Sequence, residues 1–170
     1  MSETLDRRTV LRTLGCLGPT AFVTQLLAGD RDESEAGASF FGSWTYRSFL
    51  SNPDIKTDFN QLEFARASLV IERAPLGVLL GRLSFDQDYL ALNGAISYGN
   101  PFSARFQGRG ATSATQGWIY DYLGFLVPAW PDGVDQRPCI VGTVIRTVAH
   151  SDGNAKAGVV ASFIAVKRDA

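Results

Sequence analysis

Residues 116–130 read QGWIYDYLGFLVPAW, the densest run of aromatic and β-branched side chains in the chain, and they hold two of its three tryptophans. Trp118, Tyr120 and Tyr122 alternate with Ile119, Asp121 and Leu123. A period of two puts the three large amphipathic rings on one face of a strand and a lone carboxylate among apolar residues on the other. Asp121 is then either solvated on an outer face or buried with a partner, because an unpaired buried charge is costly enough that the group neutralises instead. Pro128 and the turn-rich residues 131–138 end the strand.

The same grammar holds on both sides of this stretch. From Phe40 onward, apolar or alternating runs are separated by turn signals: residues 40–49, 62–73, 78–85, 89–98 and 102–110 before it, 139–149 and 157–167 after it. The cleanest alternation is in residues 102–110, where Phe102, Ala104, Phe106 and Gly108 interleave with Ser103, Arg105, Gln107 and Arg109. No long 3.6-residue periodicity interrupts the series. Eight runs joined in order by short turns predict an all-β fold, an eight-stranded antiparallel up-and-down barrel, since closure is the simplest way for such a meander to avoid exposed edges. Gly81, Gly94, Gly108, Gly124 and Gly142 fall inside strand patterns, where glycine marks bends or close backbone approach. The longest connection, residues 50–61, is expected to lie over one mouth of the barrel.

With 170 residues, 45% of them hydrophobic, the chain has material for one substantial core. Sixteen basic residues against seventeen acidic ones give no basic excess, and the charges are scattered, so no nucleic-acid partner is expected. The N-terminus differs from the rest. Arg7-Arg8, with Leu11 three residues on, precedes a moderately apolar segment over residues 13–28 that carries Gly15, Gly18 and Pro19. It resembles a twin-arginine export signal, and it is too short and interrupted for a stable membrane span, which needs about 20 apolar residues. Ala36-Gly37-Ala38 has the form of a peptidase site, which divides the chain into an export signal and linker over 1–38 and a barrel domain over 39–170. A cut near Ala28, lipidation at Cys16, or a short helix packed on the domain are the alternatives. The expected location is periplasmic or extracellular. Once the signal is removed, Cys139 is the one cysteine left, so the domain must be held by its core without an internal disulfide.

Few residues suggest chemistry. His150 is the only histidine; it borders a polar turn with no ligand-spaced Cys, His or carboxylate, so it reads as a rim residue and no metal is expected. No nucleophile elbow appears, and Gly108-Arg109-Gly110 lacks the spacing of a phosphate loop, so no cofactor is expected. Arg105 and Arg109 are assigned to an outer solvated face. Arg146 shares its face with Ile140, Val144 and Val148, a setting that suits burial against an acid, a ligand's or that of Asp121.

Gly42-Ser43-Trp44 opens the first strand, and Lys167-Arg168 ends the last. A G-x-W at the head of an eight-stranded meander resembles the calycin superfamily of lipocalin-like and avidin-like barrels. That resemblance implies that the Trp44 ring packs across a closed end, beneath Lys167 or Arg168. The second and third lipocalin motifs and the avidin set of ligand-contacting Trp and Ser residues are missing. In length and lack of helices the chain is also similar to allene oxide cyclase and dirigent-like barrels. An eight-stranded barrel is just wide enough to hold one small ligand. The expected function is therefore binding of a small hydrophobic or aromatic molecule, with Tyr46, Trp118, Tyr120 and Tyr122 as walls and Arg146 or Asp121 as polar anchor. An isomerase or cyclase in the same cavity, or a homo-oligomer joined through the aromatic wall, are the rival expectations.

Overall fold

The computed structural model describes residues 39–99, 101–129 and 132–168. The export signal and linker expected over 1–38 lie outside them. Eight strands follow in order: β1 (Gly42–Leu50), β2 (Glu63–Arg73), β3 (Val78–Phe85), β4 (Asp88–Ser97), β5 (Ser103–Gly110), β6 (Ile119–Val127), β7 (Cys139–Arg146) and β8 (Val160–Lys167). Each pairs antiparallel with the next, and β8 returns to β1 with Trp44 opposite Lys167 and Leu50 opposite Ala161, closing the barrel. Every strand thus has its backbone groups paired on both sides, and no edge is left to template association. The only described helices are two short 3-10 turns, Phe59–Leu62 and Pro75–Gly77, and no described helix is long and apolar enough to cross a membrane.

The period-two pattern decides which side chains fill the interior. Tyr46, Leu69, Leu83, Leu92, Phe106, Tyr122, Val144 and Phe163 are buried, while the residues between them face solvent or the outer wall. Rings span the middle of the barrel: Tyr46 stacks on Phe163 at 5.3 Å, Phe106 stacks on Tyr122 at 4.8 Å, and Tyr122 meets Phe163 edge-on at 6.1 Å. Such offset and edge contacts add to the burial term.

Space for these rings comes from glycine. Gly124 and Gly142 lie opposite each other on β6 and β7, and Gly142 also faces Phe163 on β8. A methyl group on Gly142 would stand 1.9 Å from the Leu123 carbonyl oxygen and 2.9 Å from the Gly124 Cα, so the two strands approach more closely than a side chain permits.

One end of the barrel is closed. Trp44 is fully buried and its indole Nε1 donates to the Phe40 carbonyl at 3.2 Å. Of the two basic residues named as partners for this ring, Lys167 is the one that covers it, with Nζ 4.4 Å from the centroid. The ammonium also donates to the Phe41 carbonyl, and burial lowers its pKa. Phe40, itself fully buried, packs on Phe102 at 5.1 Å and completes the plug.

The opposite end is open. There the β1–β2 register slips between Ser48↔Ala65 and Phe49↔Glu63, which leaves Phe64 as the extra residue of a bulge. The long β1–β2 connection leaves from this end but does not cover it. Phe59 packs on Phe49 at 4.4 Å, Ile55 is 97% exposed, and no residue of the connection lines the cavity beneath. The β7–β8 connection reaches the mouth instead, with His150 among the lining residues. It folds back through a His150↔Ala155 bridge, with Ser151, Asp152 and Gly153 at positive φ.

Candidate functional site

A cavity of about 340 Å³ runs from the open end into the barrel. Its inner end is formed by Tyr46 and Tyr122, its sides by Phe64, Leu83, Phe85, Leu90 and Tyr120, and its rim by Trp118, His150, Arg66 and Arg146. Five of the six residues expected to contact a ligand, Tyr46, Trp118, Tyr120, Tyr122 and Arg146, therefore meet around one space. Asp121 does not join them. It alternates with the inward Tyr120 and Tyr122, so it projects outward from β6, opposite Gln107 on β5. Gln107 Nε2 donates to Asp121 Oδ1 at 2.8 Å and Arg109 Nε donates to Gln107 Oε1 at 2.7 Å, an exposed ladder of the kind that contributes little stability. This ladder borders a larger and more open concavity of about 490 Å³ on the outer wall, lined by Arg105, Asp121 and Thr143 among others. That concavity lies along the outer faces of β4 to β7, whereas the interior cavity has the concave aromatic walls that small-molecule sites need.

The rim is a stack of rings. Phe85 lies parallel to Trp118 at 6.0 Å, and Trp118 lies nearly parallel to His150 at 4.1 Å. Phe64, turned inward by the bulge, meets Tyr120 edge-on at 6.2 Å and lies beneath the Arg146 guanidinium at 5.0 Å. Such a cation over a ring face is held by the ring quadrupole. Arg146 is fixed further by Nη1 donating to the Lys156 carbonyl at 3.1 Å and by Nε donating to the Tyr120 hydroxyl at 3.3 Å. His150 Nε2 lies 2.7 Å from the same hydroxyl, and His150 Nδ1 lies 2.9 Å from Ser151 Oγ. Burial, then the nearby Arg146 charge, lower the His150 pKa below its ordinary 6.5.

Deeper in, burial raises the pKa of both Tyr46 and Tyr122, so their hydroxyls stay protonated donors. Ser48 Oγ lies near enough to Tyr46 to temper that shift, yet it falls short of hydrogen-bond geometry and remains buried without a partner. Tyr120 and Tyr122, only 7% and 5% exposed, turn their rings into the barrel and offer no aromatic wall to a second copy. Arg105 and Arg109 face outward, as the alternation on β5 predicts.

His150 was read as a rim residue; the structure puts it at the rim but in direct contact with Tyr120. Phe64 and Phe85 were not foreseen as lining. The only sequence signal for His150 was its place at the head of the turn over residues 150–154, which anchors it but does not say where the hairpin folds. No group of three or more His, Cys, Asp or Glu able to hold a metal occurs among the described residues. No protein-family model, curated protein or solved structure matches the chain.

Proposed function

We propose that this chain is a small exported barrel, calycin-like in its architecture, that binds one apolar or aromatic molecule in the interior cavity, with Arg146 as the charged anchor. The observation that carries this reading is the cavity itself. About 340 Å³ of space is walled by Tyr46, Phe64, Phe85, Trp118, Tyr120 and Tyr122, and Arg146 holds a guanidinium over two of these rings, while Arg66 at the edge is ion-paired to Glu63. An aromatic body carrying an acceptor or an anion complements that lining. The preferred test is calorimetric titration with 2-naphthoate and with its neutral methyl ester. Trp118→Ala and Tyr120→Ala, which remove the rings, should weaken both by contacts worth roughly 1–3 kcal/mol. Arg146→Gln should weaken the carboxylate by about tenfold or more and the ester much less. Should neither compound bind, or should all three variants with unchanged melting bind like the parent, the cavity is not a ligand site.

Export is proposed on the strength of Arg7-Arg8 and Ala36-Gly37-Ala38. Exported material is expected to begin between roughly residues 29 and 39, and replacing Arg7 and Arg8 with Lys should retain the protein in the cytoplasm. An N-terminal sequence starting at Met1 in exported material refutes this.

A further inference from the structure

The Tyr120 hydroxyl has two partners, and their chemistry fixes the direction of its hydrogen bonds. Arg146 Nε carries a proton and can only donate, so it occupies a lone pair of the phenol oxygen. The phenol has one proton of its own, and the neutral His150 Nε2 at 2.7 Å is the acceptor for it. Neutral His150 then carries its remaining proton on Nδ1 and donates it to Ser151 Oγ at 2.9 Å, on the exposed side of the hairpin. The result is a continuous path from a buried phenol that lines the cavity, through an imidazole, to solvent. The charged and titratable groups facing His150 are Tyr120 from β6 and Arg146 from β7; Arg66 of β2 borders the same mouth, with its guanidinium ion-paired to Glu63 at 3.0 Å. Burial and the Arg146 charge disfavour a resting imidazolium at His150.

We propose that Tyr120 is a catalytic proton-transfer residue, with His150 as the base behind it and Arg146 as the positioning cation, and that the cavity promotes enolisation of a mostly apolar carbonyl compound. This rests on the cavity being a ligand site. In the step, the Tyr120 proton passes to His150 Nε2 as the phenol oxygen takes a proton from the carbon next to the bound carbonyl. The C–H electron pair becomes the enolate, and the enolate charge is offset by the imidazolium and by Arg146. No electrons leave the substrate, and return of the proton to the same or another carbon completes exchange or isomerisation. An imidazole and phenol coupled in this way meet the geometric demand for general base catalysis, because the heavy atoms are already within proton-transfer distance.

The probe is 2-tetralone, a bicyclic aromatic ketone with enolisable C–H bonds, in deuterium oxide. Nuclear magnetic resonance follows both its binding, by shift changes of cavity residues, and the replacement of its α-hydrogens by deuterium. The intact protein should accelerate exchange above the buffer rate, and the rate should climb as pH rises through the lowered His150 pKa, since only neutral His150 accepts the proton. Tyr120→Phe should lose about a hundredfold of that acceleration while still binding the ketone. His150→Gln should lose a comparable factor and flatten the pH profile, a change that a merely structural role would not produce. It also carries the test if Tyr120→Phe does not fold. If 2-tetralone binds but exchanges no faster than in buffer, or if both variants exchange like the parent, the proton-transfer proposal falls and ligand binding stands. If 2-tetralone does not bind at all, both fall.

Discussion

Trp44→Ala is expected to lower stability by about 3–5 kcal/mol, the range for removing a buried tryptophan from a core. On a domain whose total stability is of order 5–15 kcal/mol, that loss should bring the melting temperature down by roughly 10–20 °C. The size follows from how much one ring holds at the closed end. Its indole N–H satisfies the Phe40 carbonyl, its face receives Lys167, and the fully buried Phe40 covers it. Truncation leaves a cavity, frees a backbone carbonyl and strands a half-buried ammonium whose pKa is already lowered by burial. Trp44→Phe keeps the ring face but not the donor, so it should recover part of the loss. Thermal melts of the two variants beside the parent check this; a shift of under 2 °C for Trp44→Ala, on the order of an ordinary surface substitution, would mean that the plug is not a structural anchor.

Gly142→Ala is expected to be comparably damaging for so small a change, at about 1–3 kcal/mol or more. The added methyl would meet the Leu123 carbonyl oxygen and the Gly124 Cα, both backbone atoms that cannot rotate away. The β6–β7 pair must separate, and Phe163, which sits against Gly142 on the other side, then loses its support. Gly99→Ala is the control, because a methyl there meets nothing within 4 Å, and it should change stability by no more than about 0.5 kcal/mol. Equal melting of the two variants would show that β6 and β7 are not paired in this register.

Strand order and nearly all strand limits could be read from the sequence because each run alternates and each turn is marked by Gly, Pro or Asp. Residues 78–85 match β3 end for end, while the runs over 139–149 and 157–167 extended past β7 and β8 into what is a long connecting hairpin. Period two put Tyr120 and Tyr122 on one face and Asp121 on the other but left open which face is interior; the structure turns the rings inward, so Asp121, expected as an alternative anchor, faces out. A bulge on β2 turns Phe64 toward the mouth. Nothing in the local pattern of residues 62–66 announces it, since a register slip is a property of two strands rather than one. The partner of His150 at the rim was hidden for the same reason. The contact of His150 with Tyr120 joins residues 30 apart and depends on where the β7–β8 hairpin folds, which backbone bonds such as Gly158 N–H to the Arg146 carbonyl decide. Local patterning specifies which face a strand residue takes, but long-range loop return decides what chemistry assembles at the rim.

Closure between the first and last strands has a consequence for the order of events in synthesis. Lys167 reaches back to the Ser39 carbonyl across 128 residues, and Arg168 N–H bonds the Ser43 carbonyl. While the ribosome is still translating, β1 has only β2 beside it, so one row of its backbone groups waits unpaired until β8 emerges. The nascent barrel is an open, curling sheet with an adhesive margin through most of its translation. Joining ends so distant in sequence also makes folding slow relative to helical domains of equal size. The finished ring is free of that hazard, so the interval of risk for misassembly ends when the eighth strand docks.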